Sequence, residues 1–265
     1  LFNMIPVFFG SSRRRLFGVY HAARAGVGGR KSVLICYPWG HEYIPAHRSL
    51  TKLAENLAEA GFHVFRFDYF GTGDSGGECE EGSISGWLDD INAAEVELKD
   101  MSGAEDVSVI GLRFGAYLAA RKAAQSPRST KRLVLWDPVI SGKEYVDSLF
   151  QTASNMPIGA RPPPKRPAEI GGGHEICGFP LTEAMEAEMR RLDLLPHIRE
   201  YPNDLLVIES TNLDSHDQFR VALHERKPMV DLEHIECRAA WREDWPNNAG
   251  VVPVQALQRI VEWMT

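Results

Sequence analysis

Cysteine is sparse in this sequence. There are four in 265 residues (Cys36, Cys79, Cys177 and Cys237), with no CxxC pair and no close His/Cys spacing. That spacing excludes the usual zinc frameworks and a disulfide scaffold, so no metal is expected. It suits a reducing compartment, and a cytoplasmic location is the expectation. Long apolar runs are missing too: none approaches the ~20 residues needed to cross a bilayer, so no membrane insertion is expected. The opening LFNMIPVFFG is apolar but short, without a basic flank or small-residue cleavage site, and reads as an edge strand. Excess positive charge is also lacking. Lys and Arg number 29 against 36 Asp and Glu, and the net charge of −7 offers no field for nucleic acid. Arg13-Arg14-Arg15 is three residues long and reads as a solvated turn.

What is present is an alternation of short apolar runs with helix-period segments. RLFGVYHAA (15–23) pairs with the opening run as a hairpin, and SVLICYP (32–38) is apolar on both faces, as in a covered sheet. A helix follows with Leu50, Leu53, Ala54, Leu57 and Ala58 on one side, then the strand HVFRFDY (63–69). Ser83–Met101 carries Ile84, Trp87, Leu88, Ile91, Ala94 and Leu98 as one stripe. DVSVI (106–110), a helix from Phe114 to Gln125 and RLVLWDP (132–138) complete a βαβαβ rhythm, which predicts a mostly parallel sheet covered on both faces.

The rhythm breaks over 141–203 and resumes with DLLVIES (204–210), a helix at 215–226, DLEHIECRA (231–239) and a terminal helix. Residues 155–167 hold five prolines and read as a loop or lid entrance. EIGGGHEICGF reads as a small hairpin and LTEAMEAEMRRL as a helix. The expected division is therefore an α/β core of 1–140 and 204–265 with a small cap insertion at 141–203. The cap sits over the carboxyl ends of the strands, where open α/β sheets bind ligands.

Two glycine-bounded turns carry the chemical signals. Gly73-Asp74-Ser75-Gly76-Gly77 matches the active-serine string of trypsin-like proteases, but those are all-β barrels, and here the string reads as a tight turn after a strand. GTGDSGG fits neither GxGxxG nor GxxxxGK[ST], so no nucleotide cofactor is expected. The second turn, Gly111-Leu112-Arg113-Phe114-Gly115, has the strand–turn–helix setting of a nucleophile elbow, with arginine in the central place.

FDYFGTGDSGG, VIGLRFGAYLA and WDP, in that order and followed by a late cap, resemble the α/β-hydrolase superfamily, in its serine aminopeptidase-like branch. PWGHEYIPAHRSL, GLRFGAYLA and HEICGFPLTEAM are similar to hydrolase-like proteins of exosortase systems and related biosynthetic clusters, a group in which the elbow often carries arginine. The resemblance implies an α/β-hydrolase fold with a degenerate triad. Arg113 occupies the nucleophile position, and Asp214 best matches the acid. The loop expected to hold the histidine reads WREDWPNNAG, and no histidine follows His234. It also implies that Trp39-Gly40-His41-Glu42-Tyr43 supplies half of an oxyanion hole.

Arginine cannot give up its proton at working pH, and at a helix N-terminus the dipole disfavours it by about 0.3–1 kcal/mol, so an anion is expected beside it. Glu42, Asp137 and a ligand carboxylate or phosphate are the candidates. His41 is the candidate general acid/base, or else fixes its loop through a hydrogen bond. His47 and Arg48 are expected to anchor the start of their helix. His174 and Glu175 on the cap hairpin either close over the pocket or form a solvated turn.

Arg113, His41 and Glu42 form the expected catalytic set, and Trp39, Gly40, Phe114, Asp137, His174 and Asp214 the expected substrate contacts. The expected partner is a small anionic or acyl molecule, with a biosynthetic enzyme as a possible protein partner. Three functions stay open: a pocket that works without serine chemistry, a non-catalytic accessory protein, and a hydrolase whose nucleophile has moved to Ser75 or Cys79.

Overall fold

The computed structural model describes residues 4–26, 31–126, 129–155, 172–201, 204–210, 216–226, 230–242 and 251–265. Eight strands form one sheet: β1 (Met4–Gly10), β2 (Arg15–His21), β3 (Lys31–Cys36), β4 (His63–Asp68), β5 (Asp106–Leu112), β6 (Thr130–Trp136), β9 (Asp204–Glu209) and β10 (Val230–His234). Their order is β1-β2-β4-β3-β5-β6-β9-β10, with β2 antiparallel to β1 and β4 and every other pairing parallel. This is the α/β-hydrolase arrangement, as expected.

The helices form because their apolar stripes need the sheet. α1 (Tyr43–Glu59) buries Leu50, Leu53, Ala54, Leu57 and Ala58 and packs with α7 (Val254–Met264). α2 (Ile84–Ser102) begins at Ser83, whose hydroxyl accepts the Gly86 N–H at 3.2 Å, and packs with α3 (Phe114–Gln125). α3 buries Ala116, Ala119, Ala120 and Ala123, small side chains that let it lie close to β5 and β6. α1 starts at Tyr43, earlier than the sequence suggests, because Pro45 is tolerated in a first turn. His47 therefore does not anchor that start: its ring stacks on Tyr37 at 5.9 Å, and its Nε2 lies 3.4 Å from Arg66 Nη1.

Between β6 and β9 lie α4 (Gly142–Asn155), a hairpin of β7 (His174–Ile176) and β8 (Phe179–Leu181), and α5 (Glu183–Arg190). The hairpin and α5 follow the sequence reading. α4 does not: the segment reads as a break in rhythm, yet Tyr145, Val146 and Leu149 give it a buried face. The proline-rich stretch after Asn155 lies outside the described residues. α6 (Asp217–His224) links β9 to β10.

Register aligns Cys36 with Gly111, Leu112 with Trp136, and Trp136 with Ile208. The chain leaves β3 for β4 on one side and returns to β5 on the other, so β3 and β5 form the switch point at the carboxyl edge.

Candidate functional site

The elbow is built around two glycines. A Cβ on Gly115 would collide with the carbonyl oxygens of Cys36 and Tyr37, and one on Gly111 with the Gly115 carbonyl and Ala116. Only glycine at both places lets α3 start hard against β3 and β5. Arg113 then takes φ 55° and ψ −119°, a backbone region that costs a non-glycine residue about 1–3 kcal/mol. Neighbouring backbone holds it there: its N–H donates to the Trp136 carbonyl at 3.0 Å, and its carbonyl accepts from Ala116 at 3.0 Å and Val139 at 3.3 Å.

The guanidinium meets Glu42, which stands on a single 3-10 turn (Gly40–Glu42) just after β3. Arg113 Nε donates to Glu42 Oε1 at 3.0 Å, and Nη1 donates to the Asp137 carbonyl at 3.4 Å. Trp241 lies under the guanidinium at 3.9 Å, and the Tyr145 ring centre is 5.4 Å away. The Tyr145 hydroxyl donates to Glu42 Oε2 at 3.2 Å. Burial acts to lower the Arg113 pKa, but the charges of Glu42 and Asp137 and the Tyr145 hydroxyl outweigh it and hold it above its ordinary value. Burial likewise pushes the Tyr145 hydroxyl well up, so it stays a donor. Nη2 makes no hydrogen bond among the described residues.

Asp137 does not offer its carboxylate to Arg113. Oδ1 accepts the Ser210 N–H at 2.6 Å and Oδ2 accepts the Trp241 indole N–H at 3.0 Å. Burial raises its carboxyl above the ordinary range despite those bonds and the nearby Arg113 charge. The backbone here is also unusual, with φ 45° at Asp137.

A cavity of about 510 Å³ opens over these groups. His41, Glu42, Arg113, Tyr145, His216 and Trp241 are part of its polar and aromatic lining, to which Glu144 and Arg242 also belong, and Val139, Ile140 and Leu149 are part of its apolar surface. His41 is buried, and its Nδ1 has no hydrogen-bond partner among the described residues. The remaining sequence-derived candidates are less central. Phe114 is fully buried, stacked 5.8 Å from Tyr145, and supports the wall from behind. Trp39 is buried in the core, and neither it nor Gly40 lines the cavity. His174 is 60% exposed, 3.9 Å from Glu186 and edge-on to Phe150, away from the cavity. Asp214 lies outside the described residues, as does most of the loop after Trp241.

One cluster was not read from the sequence. Glu209 closes β9, and its Oε1 lies 2.8 Å from His216 Nδ1, while Oε2 accepts from Arg220 Nε at 2.9 Å. Burial works to raise the Glu209 carboxyl, but its bonds with His216 and Arg220 prevail and hold it below its ordinary value. The available signal was a strand ending in a carboxylate at the ligand edge, with a histidine opening the next helix.

Ser75 sits in the turn after β4, where its hydroxyl donates to the Asp68 carbonyl at 2.6 Å and accepts the Phe17 N–H at 2.9 Å. The GDSGG string is a clasp between β2 and β4. None of the four cysteines is in a disulfide, and burial pushes Cys36 up to about 12. Among the described residues no group of three His, Cys, Asp or Glu is arranged to hold a metal, and no helix is long and apolar enough to cross a membrane.

The chain is similar in structure to Est1E from Butyrivibrio proteoclasticus, solved with ferulic acid bound (TM-score 0.69, 16% identity, 97% of each chain covered). It is also similar to the Pyrococcus furiosus esterase Pf2001 (TM-score 0.67, 17% identity, covering 99% of this chain and 90% of that one). The proline iminopeptidase of Mycobacterium smegmatis gives a TM-score of 0.62 at 12% identity, over 98% and 96% of the two chains. At these identities the likeness shows a shared fold. No curated protein matches the chain in sequence. The family model described as serine aminopeptidase, S33, matches residues 41–213, from the turn that carries Glu42 through the elbow and β9. With well over half its length matched, this chain belongs to the serine aminopeptidase S33 family of α/β-hydrolase-fold proteins.

Proposed function

We propose that this protein binds and processes a small acyl, ester or carboxylate compound in the cavity over Arg113, as part of a biosynthetic pathway, and does so without an acyl-enzyme at the elbow. The carrying observation is the elbow itself, which keeps the strained backbone of a nucleophile position yet presents a guanidinium tied to Glu42. Arg113 Nη2 is left to donate to a carbonyl or carboxylate oxygen entering the cavity, with Val139, Ile140 and Leu149 for the apolar part. Est1E, a neighbour in fold, was solved with ferulic acid, a small carboxylic acid, bound, which supports this ligand class. The biosynthetic setting rests on the resemblance of PWGHEYIPAHRSL, GLRFGAYLA and HEICGFPLTEAM to exosortase-associated hydrolase-like proteins.

A thermal-shift screen of small carboxylates, acyl esters and phosphorylated compounds tests the reading. The wild type should be stabilised by carboxylates or esters, and the double variant Glu42→Gln/Arg113→Met, which removes both charges together, should lose that stabilisation. One observation favours a second reading, the accessory protein: Glu42 already neutralises Arg113 without any ligand. Stabilisation by none of the compounds, with a protein partner bound equally by wild type and double variant, would establish that reading instead.

A further inference from the structure

His216 lines the same cavity as Arg113 but from the start of α6, and it is held differently. Its Nδ1 faces Glu209 Oε1 at 2.8 Å. Glu209 is in turn fixed by Arg220, whose Nη1 donates to Asp217 at 3.0 Å. A carboxylate only accepts, so the Nδ1 position carries the proton and the lone pair of the neutral ring sits on Nε2. Nε2 makes no hydrogen bond among the described residues. The side chain is 11% exposed and lines the cavity, so its open edge faces that space. His41, the other cavity histidine, has a buried Nδ1 with no hydrogen-bond partner among the described residues. His216 is thus the ring whose tautomer is set and whose free nitrogen is presented to a ligand. It follows β9, not the last strand of the sheet, so it does not occupy the histidine place of the hydrolase triad.

We propose that Nε2 of His216 is the proton acceptor of this cavity, activating water against the carbonyl carbon of a bound ester. The inference rests on the small-ligand reading given above. Nε2 takes a proton from water as the water oxygen bonds to the carbonyl carbon, and the carbonyl π pair moves onto its oxygen beside Arg113. The adduct collapses, the bond to the leaving oxygen breaks with its electron pair, and the imidazolium returns the proton to that oxygen. Ester and water become acid and alcohol, and His216 ends neutral. Glu209 is the positioning residue, stabilising the imidazolium.

The test uses para-nitrophenyl acetate for turnover and para-nitrobenzoate, which does not turn over, for binding by calorimetry. The wild type should bind para-nitrobenzoate and hydrolyse the ester. His216→Gln should bind para-nitrobenzoate within about twofold of wild type yet lose about a hundredfold in kcat. Glu209→Gln should lower kcat with KM unchanged, a split that a purely structural role would not give. Binding with turnover that His216→Gln leaves within about threefold of wild type overturns the assignment alone. Binding by the wild type without ester hydrolysis overturns it as well. Absence of both binding and turnover overturns the small-ligand reading along with it.

Discussion

At one wall of the cavity Glu42 holds Arg113, and at another Glu209 holds His216 and Arg220. Both clusters pair a buried carboxylate with a cation-capable group at the carboxyl edge of the sheet, and they are closed to different degrees. Around Arg113, Glu42 takes Nε, the Asp137 carbonyl takes Nη1, and Trp241 covers a face, while Tyr145 completes Glu42. Around Glu209 both oxygens are filled, yet the histidine keeps a nitrogen toward the cavity. The turn between β5 and α3 carries a buried charge pair, while the start of α6 carries the base that we propose. Backbone geometry and chemical role are separable on this fold: the elbow survives because the glycine contacts of α3 require it, whatever side chain it carries.

The sharpest way to break the contrast is Glu42→Ala. It strands the Arg113 guanidinium in a buried site and should cost about 3–5 kcal/mol in urea unfolding, most of which returns when Arg113→Met is added. A cost near that of an exposed pair would mean the elbow is not locked. Glu209→Gln should cost less, about 2 kcal/mol, because Arg220 reaches solvent and His216 can stay neutral.

The two walls also predict opposite responses to pH. The folded Glu209 carboxyl lies below its ordinary 4.5, so the unfolded chain binds the proton more tightly. Its stabilisation is complete above about pH 4.5 and is lost as pH falls through the depressed folded value. Asp137 is raised above its ordinary 3.8, so the native chain holds the proton more tightly and its ionisation works against the fold as pH rises from 3.8 toward the raised value. Unfolding free energies between pH 3 and pH 7 should show the acid limb become shallower in Glu209→Gln and steeper in Asp137→Asn. Changes in slope of the same sign in the two variants would contradict the assignment. Tyr145→Phe, which removes one donor to Glu42, should cost about 1 kcal/mol. His216→Gln should change stability by about 0.5 kcal/mol or less, since its amide can still donate to Glu209.

Much of the fold was legible because its signals are local. The alternation in DVSVI, the stripe of Leu50 to Ala58 and the glycines flanking Arg113 each act within a few residues. The site was legible only in part. Arg113 demanded an anion on electrostatic grounds, and Glu42 was among the candidates, but the two are 71 residues apart and only the approach of β3 to β5 brings them together. Asp137 looked equally suitable until the Ser210 and Trp241 donors claimed its carboxylate. His216 was missed because a search for the triad histidine looks after the last strand, whereas its partner Glu209 ends an earlier one. α4 was missed because its buried apolar face is short, with Tyr145, Val146 and Leu149 as its large side chains.

On the proposed function the cavity works without a covalent intermediate at the elbow or at a displaced serine or cysteine. Intact-protein mass spectrometry after incubation with a fluorophosphonate, with para-nitrophenyl acetate turnover followed in the same samples, tests it most directly. The expected result is an unchanged protein mass and undiminished turnover. A stoichiometric adduct on Ser75, Cys79 or any other nucleophile, with turnover abolished, would contradict it.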